Sequence, residues 1–231
     1  VIHQISSGIW ALINNAGICI FGEFDWCSID QCQKQIEVNL MGTIRVTKHF
    51  LGSIIKSKGR IINISSVNSM CAIPGSAVYS STKCAINGFS DSLRYEVEKF
   101  GVKVIVINPG DFSRITKIMD RHESHVEEMW NYMSPVKRNL YGNYFREYQE
   151  HVIAQFGVTS AKRFEDTTLF DDVQEAVHCK QPRLIITCAP LSSRVSMFIL
   201  SKLPITLRHK LFDFLLNYIF KLHVDNFFKI K

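Results

Sequence analysis

The sequence predicts an α/β fold built on a parallel sheet, and three observations support this prediction. The continuous apolar runs Ile9–Ile13 and Val102–Ile107 are typical of strands that are buried on both faces of a parallel sheet. Long segments in which apolar residues recur with helical spacing separate these runs. A length of 231 residues suits one domain of this class with a sizeable core.

The remaining elements follow from local signals along the chain. Ser28 is a candidate N-cap for a long helical pattern that extends to Phe50. The apolar, β-branched run Ile61–Ile64 predicts a strand, and a second helical pattern follows the loop after it. Asp171–His178 has the pattern of a short helix, and Arg183–Thr187 has the pattern of the last strand.

Composition and charge exclude several classes of protein. The chain has 27 Lys and Arg against 21 Asp and Glu, and it contains no basic arm, zinc-finger spacing or stacking motif. We therefore expect no nucleic-acid partner. The seven cysteines are an odd number without a Cys-x-x-Cys pair, which indicates reduced thiols in a cytosol-facing or matrix compartment and argues against a structural zinc site.

His122 and His125 are the candidate metal ligands of the chain. Their spacing of three places both imidazoles on one side of a helix, where they could bind one ion. The sequence offers no evident third ligand. We therefore expect no metal, and we interpret the pair as part of an exposed helix face.

A serine, a tyrosine and a lysine form the candidate reactive group. Ser66 follows the predicted strand Ile61–Ile64, and Tyr79 and Lys83 are four residues apart on the helix after it. The phenol and the ammonium can therefore lie side by side, and a nearby positive charge lowers the pKa of a tyrosine. Ser66 can hydrogen-bond the same substrate oxygen that Tyr79 protonates. Without further support, the Tyr-Lys spacing would indicate only a solvated helix face.

Two motifs supply that support. A serine followed thirteen residues later by Tyr-x-x-x-Lys resembles the signature of the short-chain dehydrogenase/reductase family, and Ser66, Tyr79 and Lys83 match it. The run Asn14-Asn15-Ala16-Gly17 resembles the motif of the family's fourth strand. The resemblance extends over nearly the whole chain from Ile9 onward. It implies a doubly wound, Rossmann-like parallel sheet with helices on both faces.

The resemblance also implies a role for each reactive residue. Tyr79 is the general acid and base, and Ser66 orients the oxygen of the alcohol or carbonyl substrate. Lys83 lowers the pKa of the tyrosine and holds the ribose of the nicotinamide. Asn39, within the stretch Glu37–Thr43, positions a water that connects the lysine to bulk solvent.

The family resemblance implies a nicotinamide cofactor, NAD with NADP as a possibility, and an alcohol or ketone substrate. We expect the cofactor to be lined by a set of residues that follow the predicted strands, namely Asn14, Ala16, Gly17, Lys83, Pro109, Gly110 and Thr116. A homo-oligomer is implied by analogy with family members, which commonly pair through the helices that carry Asn39 and Tyr79.

Several stretches resemble one branch of the family, which contains 3-hydroxybutyrate, retinol and hydroxysteroid dehydrogenases. Among these stretches are Phe89–Arg94 and Pro109–Phe112. Members of this branch are membrane-associated, in mitochondria or the endoplasmic reticulum, and often use NAD. Phe21–Glu23 and Ile44–Lys48 favour a 3-hydroxybutyrate dehydrogenase, whereas the many large apolar residues of the later chain favour a lipid-like alcohol.

We divide the chain into two parts. Residues 1–190 are expected to be the C-terminal part of a Rossmann-like domain in which 117–170 forms a substrate lid. Residues 191–231 are expected to form an apolar and basic helical tail that contacts a membrane surface, caps the pocket or forms an oligomer interface. No apolar run in this tail reaches the roughly 18 residues of a spanning helix.

The start of the chain departs from the family pattern. Family members have three strands before the position that corresponds to Val1. In addition, no glycine-rich turn joins a strand to a helix in this sequence. We therefore expect an incomplete dehydrogenase or a shortened isoform. The alternative is a truncated, non-catalytic fold that acts as an interaction or regulatory protein.

Overall fold

Four parallel strands form a single sheet in the computed structural model, which describes residues 8–113, 116–156 and 168–215. The strands lie in the order of the chain and are β1 (Ala11–Asn14), β2 (Arg60–Ile64), β3 (Lys103–Pro109) and β4 (Ile185–Cys188). Every neighbouring pair is parallel. The predicted parallel sheet is therefore confirmed, with boundaries shifted by one or two residues.

Eight α-helices connect and flank the strands within the described ranges. They are α1 (Ile29–Ile36), α2 (Gly42–Ser57), α3 (Ala77–Val97), α4 (His122–Tyr132), α5 (Pro135–Phe156), α6 (Thr168–His178), α7 (Leu191–Lys202) and α8 (Ile205–Phe214). Ser28 caps α1 as expected, because its side chain accepts a hydrogen bond from the Gln31 backbone and the Gln31 side chain accepts one from the Ser28 backbone.

The sheet is covered on both faces. Ile61 of β2 and Val104 of β3 are fully buried in a cluster with residues of α2 and α3. The next residues along the two strands, Ile62 and Ile105, are fully buried in a second cluster with α6. Successive strand residues point to opposite faces, so strands that are apolar throughout require a helical layer on each side. The doubly wound architecture is confirmed.

The segment from α4 to α5 packs around one tryptophan. Trp26 lies in the loop between β1 and α1, is fully buried, and meets aromatic rings of α5 edge-on. The ring centroids of Phe145 and Tyr148 lie 5.0 and 5.2 Å from that of Trp26. This aromatic cluster attaches the predicted lid to the loop after β1. Part of the predicted lid, 157–167, lies outside the described residues.

The histidines of α4 require a correction. His122 and His125 are each only 4% exposed, so the predicted exposed helix face is wrong. The face of α4 that carries them also carries Met129, which lies fully buried in the Trp26 cluster and holds this face of the helix inward. Burial lowers the pKa of His122 to about 4, with His125 acting in the same direction, so both imidazoles are neutral at pH 7.

The C-terminal helices α7 and α8 contain no buried residue. Four apolar side chains, Leu191, Val195, Phe198 and Ile199, recur at helical spacing along one side of α7 and are 48 to 71% exposed. No helix within the described part of the chain is long and apolar enough to cross a membrane. The rest of the predicted tail, 216–231, lies outside the described residues.

Candidate active site

A cavity of about 670 Å³ opens at the carboxyl ends of the strands. Its walls include Gly17 after β1, Ser66 after β2, Gly110 after β3, and Tyr79 and Lys83 of α3. The carboxyl ends of parallel strands meet at one edge of a sheet, and this edge is where open α/β folds bind their ligands. Residues that are far apart in the sequence therefore face one space.

Ser66 is held by a small polar network. Its Oγ accepts a hydrogen bond from the Asn68 backbone at 3.1 Å, and its carbonyl accepts one from Ser69 Oγ at 2.6 Å. Asn87 of α3 in turn donates to Ser69 Oγ at 2.9 Å. This network joins the turn after β2 to α3, so the Ser66 hydroxyl keeps a defined position relative to Tyr79.

Tyr79 and Lys83 lie on the buried face of α3, one turn apart. The Lys83 ammonium is 5.6 Å from the centroid of the Tyr79 ring and donates to the Ile64 carbonyl at the end of β2, at 3.0 Å. Both side chains are buried, at 7 and 4% exposure. The strand end thus fixes the lysine while the helix places the phenol beside it.

Burial dominates the electrostatics of this pair. It raises the pKa of Tyr79 well above its ordinary value, the nearby Cys19 thiol raises that pKa further, and a hydrogen bond with Ser66 opposes the rise. Burial also lowers the pKa of Lys83 to about 8. The net pKa of Tyr79 is therefore above its ordinary value, whereas the Tyr-Lys spacing alone predicts a value below it, because desolvation of the phenolate dominates. Tyr79 is therefore a neutral phenol, ready to donate its proton.

Asn39 is fully buried in a π-helical turn, Glu37–Met41, between α1 and α2. Its Oδ1 accepts a hydrogen bond from the Ile18 backbone at 2.8 Å. Its Nδ2 donates to the Ile18 carbonyl at 2.9 Å and to the Thr82 hydroxyl at 3.1 Å. The amide thereby ties the segment after β1 to α3, next to Lys83. A π-helical turn often marks a functional site, and its wider backbone ring was not evident from the sequence.

Asn14 is not where the sequence analysis placed it. Its Nδ2 donates to Thr47 of α2 at 2.9 Å and to Asn63 of β2 at 2.8 Å, and the residue does not line the cavity. Asn63 continues the chain by donating to Ser90 of α3 at 2.8 Å. The predicted cofactor contact of Asn14 is therefore corrected: its amide braces β1 against β2 and the helix layer.

The other predicted cofactor residues line the cavity, and these are Ala16, Gly17, Lys83, Pro109, Gly110 and Thr116. A side chain at Gly17 would place its Cβ 3.5 Å from both Lys83 Nζ and Asn39 Oδ1. The glycine therefore leaves open the space in front of the lysine. Packing explains the glycine at position 110, because a Cβ there would lie only 2.9 Å from the Cβ of Ala189.

These groups fit the nicotinamide end of a dinucleotide. Lys83 offers an ammonium for ribose hydroxyls, Thr116 offers a hydroxyl for an amide, and Gly17 leaves room for a ring against the backbone. The described residues contain no glycine-rich turn at a helix N-terminus that would hold a pyrophosphate.

Among the lining residues that the sequence analysis missed, three lie close to the predicted lid or to the motif after β1. Cys19 and Phe21 follow β1, and Phe156 is the last residue of α5. Cys19 and Phe21 lie within four residues of the Asn-Asn-Ala-Gly motif, and this proximity was a usable signal. Phe156 gave none, because its position at the cavity depends on how α5 folds back toward β1.

Comparison with known proteins places the chain in a family. The sequence model described as short chain dehydrogenase matches residues 1–127. Mitochondrial D-beta-hydroxybutyrate dehydrogenase of Mus musculus is 42% identical over 150 residues, which are 64% of this chain and 43% of that protein. Short-chain dehydrogenase/reductase family 9C member 7 of Homo sapiens is 33% identical over 208 residues, or 84% of this chain and 65% of that protein.

The chain thus spans less than half the length of its hydroxybutyrate dehydrogenase relatives. A short-chain dehydrogenase from Streptomyces avermitilis has the same fold, with a TM-score of 0.60 at 20% identity over 90% of this chain and 69% of that one. The family model covers more than half of the 231 residues, and the Ser-Tyr-Lys motif lies within the matched part. The chain belongs to the short-chain dehydrogenase/reductase family.

Proposed function

We propose that the protein is an NAD(P)-dependent oxidoreductase that acts on the CH–OH group of an alcohol or on the corresponding ketone. The observation that carries this proposal is the convergence of Ser66, Tyr79 and Lys83 on one cavity whose glycine-lined wall leaves room for a flat ring. The family relationship supports it, because the relatives named above are dehydrogenases.

The chemistry assigned to the chain itself is proton transfer. The bound nicotinamide supplies or accepts the hydride. In the direction of reduction, the Tyr79 hydroxyl donates its proton to the carbonyl oxygen while the Ser66 hydroxyl hydrogen-bonds that oxygen. In the direction of oxidation, Tyr79 must first be deprotonated, and its phenolate then accepts the alcohol proton. The raised pKa of Tyr79 keeps the phenol protonated before reduction.

Lys83 and Asn39 support this transfer. When Tyr79 gives up its proton, the ammonium of Lys83 stabilises the phenolate that remains, since opposite charges a few ångströms apart attract strongly in a buried site. In the direction of reduction, Lys83, whose pKa is lowered to about 8, can return a proton to this phenolate near neutral pH. Asn39 is assigned the part of positioning the water that reprotonates the lysine, next to Thr82 and Gly17, and in oxidation the same path carries the proton outward.

The names of the matched relatives suggest the class of substrate for this protein. The matched relatives include D-beta-hydroxybutyrate dehydrogenase and retinol dehydrogenase 7 of Mus musculus. We propose a secondary or lipid-like alcohol of the hydroxybutyrate, retinol or hydroxysteroid type, with NAD as cofactor and NADP as the alternative. The competing proposal, a non-catalytic interaction protein, is disfavoured because Ser66, Tyr79, Lys83 and Asn39 are all in place.

We further propose that the protein is intracellular, mitochondrial or in the endoplasmic reticulum, and that it touches a membrane through its tail. The exposed apolar side of α7 ends at Lys202, and α8 adds Arg208 and Lys210. Apolar residues beside cations suit the surface of an anionic bilayer. A homo-oligomer is also proposed, on the analogy of family members only.

The decisive test is Tyr79→Phe, which removes the proton donor and keeps the ring. We expect turnover to fall by about two to four orders of magnitude, the usual contribution of acid–base catalysis. Binding of NADH, followed by its fluorescence, and thermal unfolding should stay close to those of the wild type. The matched control is Tyr95→Phe, whose side chain is exposed at the far end of α3. Undiminished turnover by Tyr79→Phe would refute the assignment.

A further inference from the structure

We infer that the substrate part of the cavity takes a bulky apolar alcohol or ketone and excludes a small hydroxy acid, with Phe21 and Phe156 as the specificity-determining residues. This inference rests on the proposed function and names the substrate class of the same site. Sequence identity alone would suggest a hydroxybutyrate substrate, because the hydroxybutyrate dehydrogenases are 42 to 43% identical to the chain over the matched residues. The inference departs from that suggestion.

Phe21 and Phe156 form a stacked pair in the cavity wall. Their ring centroids are 5.2 Å apart and their planes differ by 6°. Phe21 lies in the loop after β1, and Phe156 ends α5, so the pair connects the loop that follows the cofactor-lining motif to the predicted lid. Both rings are half-buried and line the cavity. Such a pair offers a hydrocarbon skeleton a broad aromatic surface.

The surroundings of the pair are apolar as well. Val67 and Ile73, on either side of the loop that follows Ser66, line the cavity together with Ile118. Contact with such side chains is favourable for a ligand in proportion to the apolar surface that it removes from water. A four-carbon hydroxy acid has little apolar surface to remove, whereas a polyene or a steroid has a great deal.

Charge argues in the same direction. Among the described residues that line the cavity, only Lys83, Asp111 and Lys117 carry a charge. Lys83 is committed to the Ile64 carbonyl and the catalytic tyrosine, and Asp111 repels a carboxylate. Lys117 is exposed, so water and salt screen its attraction. Apart from Lys83, the described lining residues therefore offer a substrate carboxylate no buried cation to replace its hydration.

The cavity is also large for a small acid. Its volume of about 670 Å³ falls in the range of sites that enclose drug-sized molecules. The nicotinamide would occupy one end, beside Gly17 and Thr116. A four-carbon acid by itself would fill only a small part of the whole cavity, and an unfilled apolar space forfeits the packing that would orient the reacting carbon.

The test measures binding of three probes to the 231-residue chain by quenching of tryptophan emission: all-trans-retinol, androsterone and 3-hydroxybutyrate. We expect saturable binding of at least one of the two apolar probes, no displacement of it by excess 3-hydroxybutyrate, and about tenfold weaker binding in Phe21→Ala and in Phe156→Ala. Phe24→Ala is the matched control, because Phe24 lies in the same loop but is 63% exposed and outside the cavity. Thermal unfolding of each variant shows whether it folds.

Tyr79→Phe separates this inference from the proposed function, since it should bind the apolar probe as the wild type does while failing to turn it over. The inference is overturned if 3-hydroxybutyrate is the probe that binds or is turned over, or if Phe24→Ala weakens apolar binding as much as the two cavity variants do. If 3-hydroxybutyrate is bound and turned over, the oxidoreductase proposal remains and only the inference about substrate class is rejected. Phe156→Leu should keep part of the affinity that Phe156→Ala loses, because leucine retains apolar contact.

Discussion

At the scale of single residues, the unusual feature of the site is a lysine whose charge is costly. Lys83 is 4% exposed, and burial lowers its pKa to about 8 from an ordinary value near 10.5. The folded state therefore resists protonation of this amine more than the unfolded chain does. Keeping a buried ammonium beside Tyr79 lowers stability at neutral pH, and the proposed catalytic role gives a reason for it.

Lys83→Met should reveal this cost through the pH dependence of unfolding. Between about pH 8 and 10.5 the unfolded chain binds the lysine proton while the folded protein has released it, so the wild type gains stability as the pH rises. The free energy of urea unfolding of the wild type should therefore rise relative to that of the methionine variant across this window. Lys99→Met, which removes an exposed lysine just after α3, is the matched control. A constant difference for Lys83→Met would show that burial does not perturb the lysine.

At the scale of elements, the loop before α3 and helix α5 fit each other closely. Gly75 has a φ of +75°, and a Cβ there would lie 1.7 Å from the Tyr148 Oη of α5. The Gly75 carbonyl also accepts a hydrogen bond from the Gly22 backbone at 2.9 Å. This contact joins the loop leading to Tyr79, the segment after β1 and the predicted lid.

Gly75→Ala should be strongly destabilising for that reason. Both the left-handed backbone and the contact with Tyr148 oppose a methyl group, and we expect a loss of about 2 kcal/mol or more in the free energy of unfolding. Gly88→Ala is the matched control, because nothing lies within 4 Å of its Cβ in the middle of α3, and it should stabilise the protein by about 0.5–1 kcal/mol.

Tyr148→Phe tests the mechanism, since it removes the oxygen that the methyl group would meet. The loss caused by Gly75→Ala should shrink in the Tyr148→Phe background, as measured by a double-mutant cycle in urea. Equal losses in the two backgrounds would assign the effect to the backbone conformation alone.

At the scale of the whole molecule, the central sheet and the C-terminal helices differ in how much of their apolar surface is buried. The sheet is buried on both faces, whereas α7 exposes an entire apolar side. Helix α8 lies near the active-site loop, where Arg208 contacts Cys71 Sγ at 3.8 Å. The tail therefore contacts the loop after Ser66 through α8 and presents apolar surface on α7, and this exposed surface supports the proposed membrane contact.

The membrane proposal predicts that Phe198→Gln combined with Ile199→Gln weakens binding to vesicles. Both side chains are more than half exposed, so the change should leave thermal unfolding nearly unchanged. Co-flotation with phosphatidylserine-containing vesicles should fall several-fold, and added salt should weaken the remaining binding. The control is Tyr95→Gln, which changes a 77% exposed ring elsewhere on the surface. Equal flotation of the double variant and the wild type would remove α7 from the proposal.

The sequence by itself determined the elements and their class, for a local reason. Apolar periodicity and the Ser28 cap act within a few residues, and these signals predicted the strands and the start of α1 to within two residues. The spacing of Ser66, Tyr79 and Lys83 could be read in the same way, because a strand end, a short loop and one helical turn hold all three residues.

Tertiary structure alone decided everything that depends on distant partners. It buried His122 and His125 through the packing of α4 against the Trp26 cluster, and it turned Asn14 toward Asn63 across two strands. It also set the direction of the Tyr79 pKa and brought Phe156 to Phe21. Desolvation and packing are properties of the assembled interior, and a linear pattern records which residues can be buried but not which neighbours will surround them.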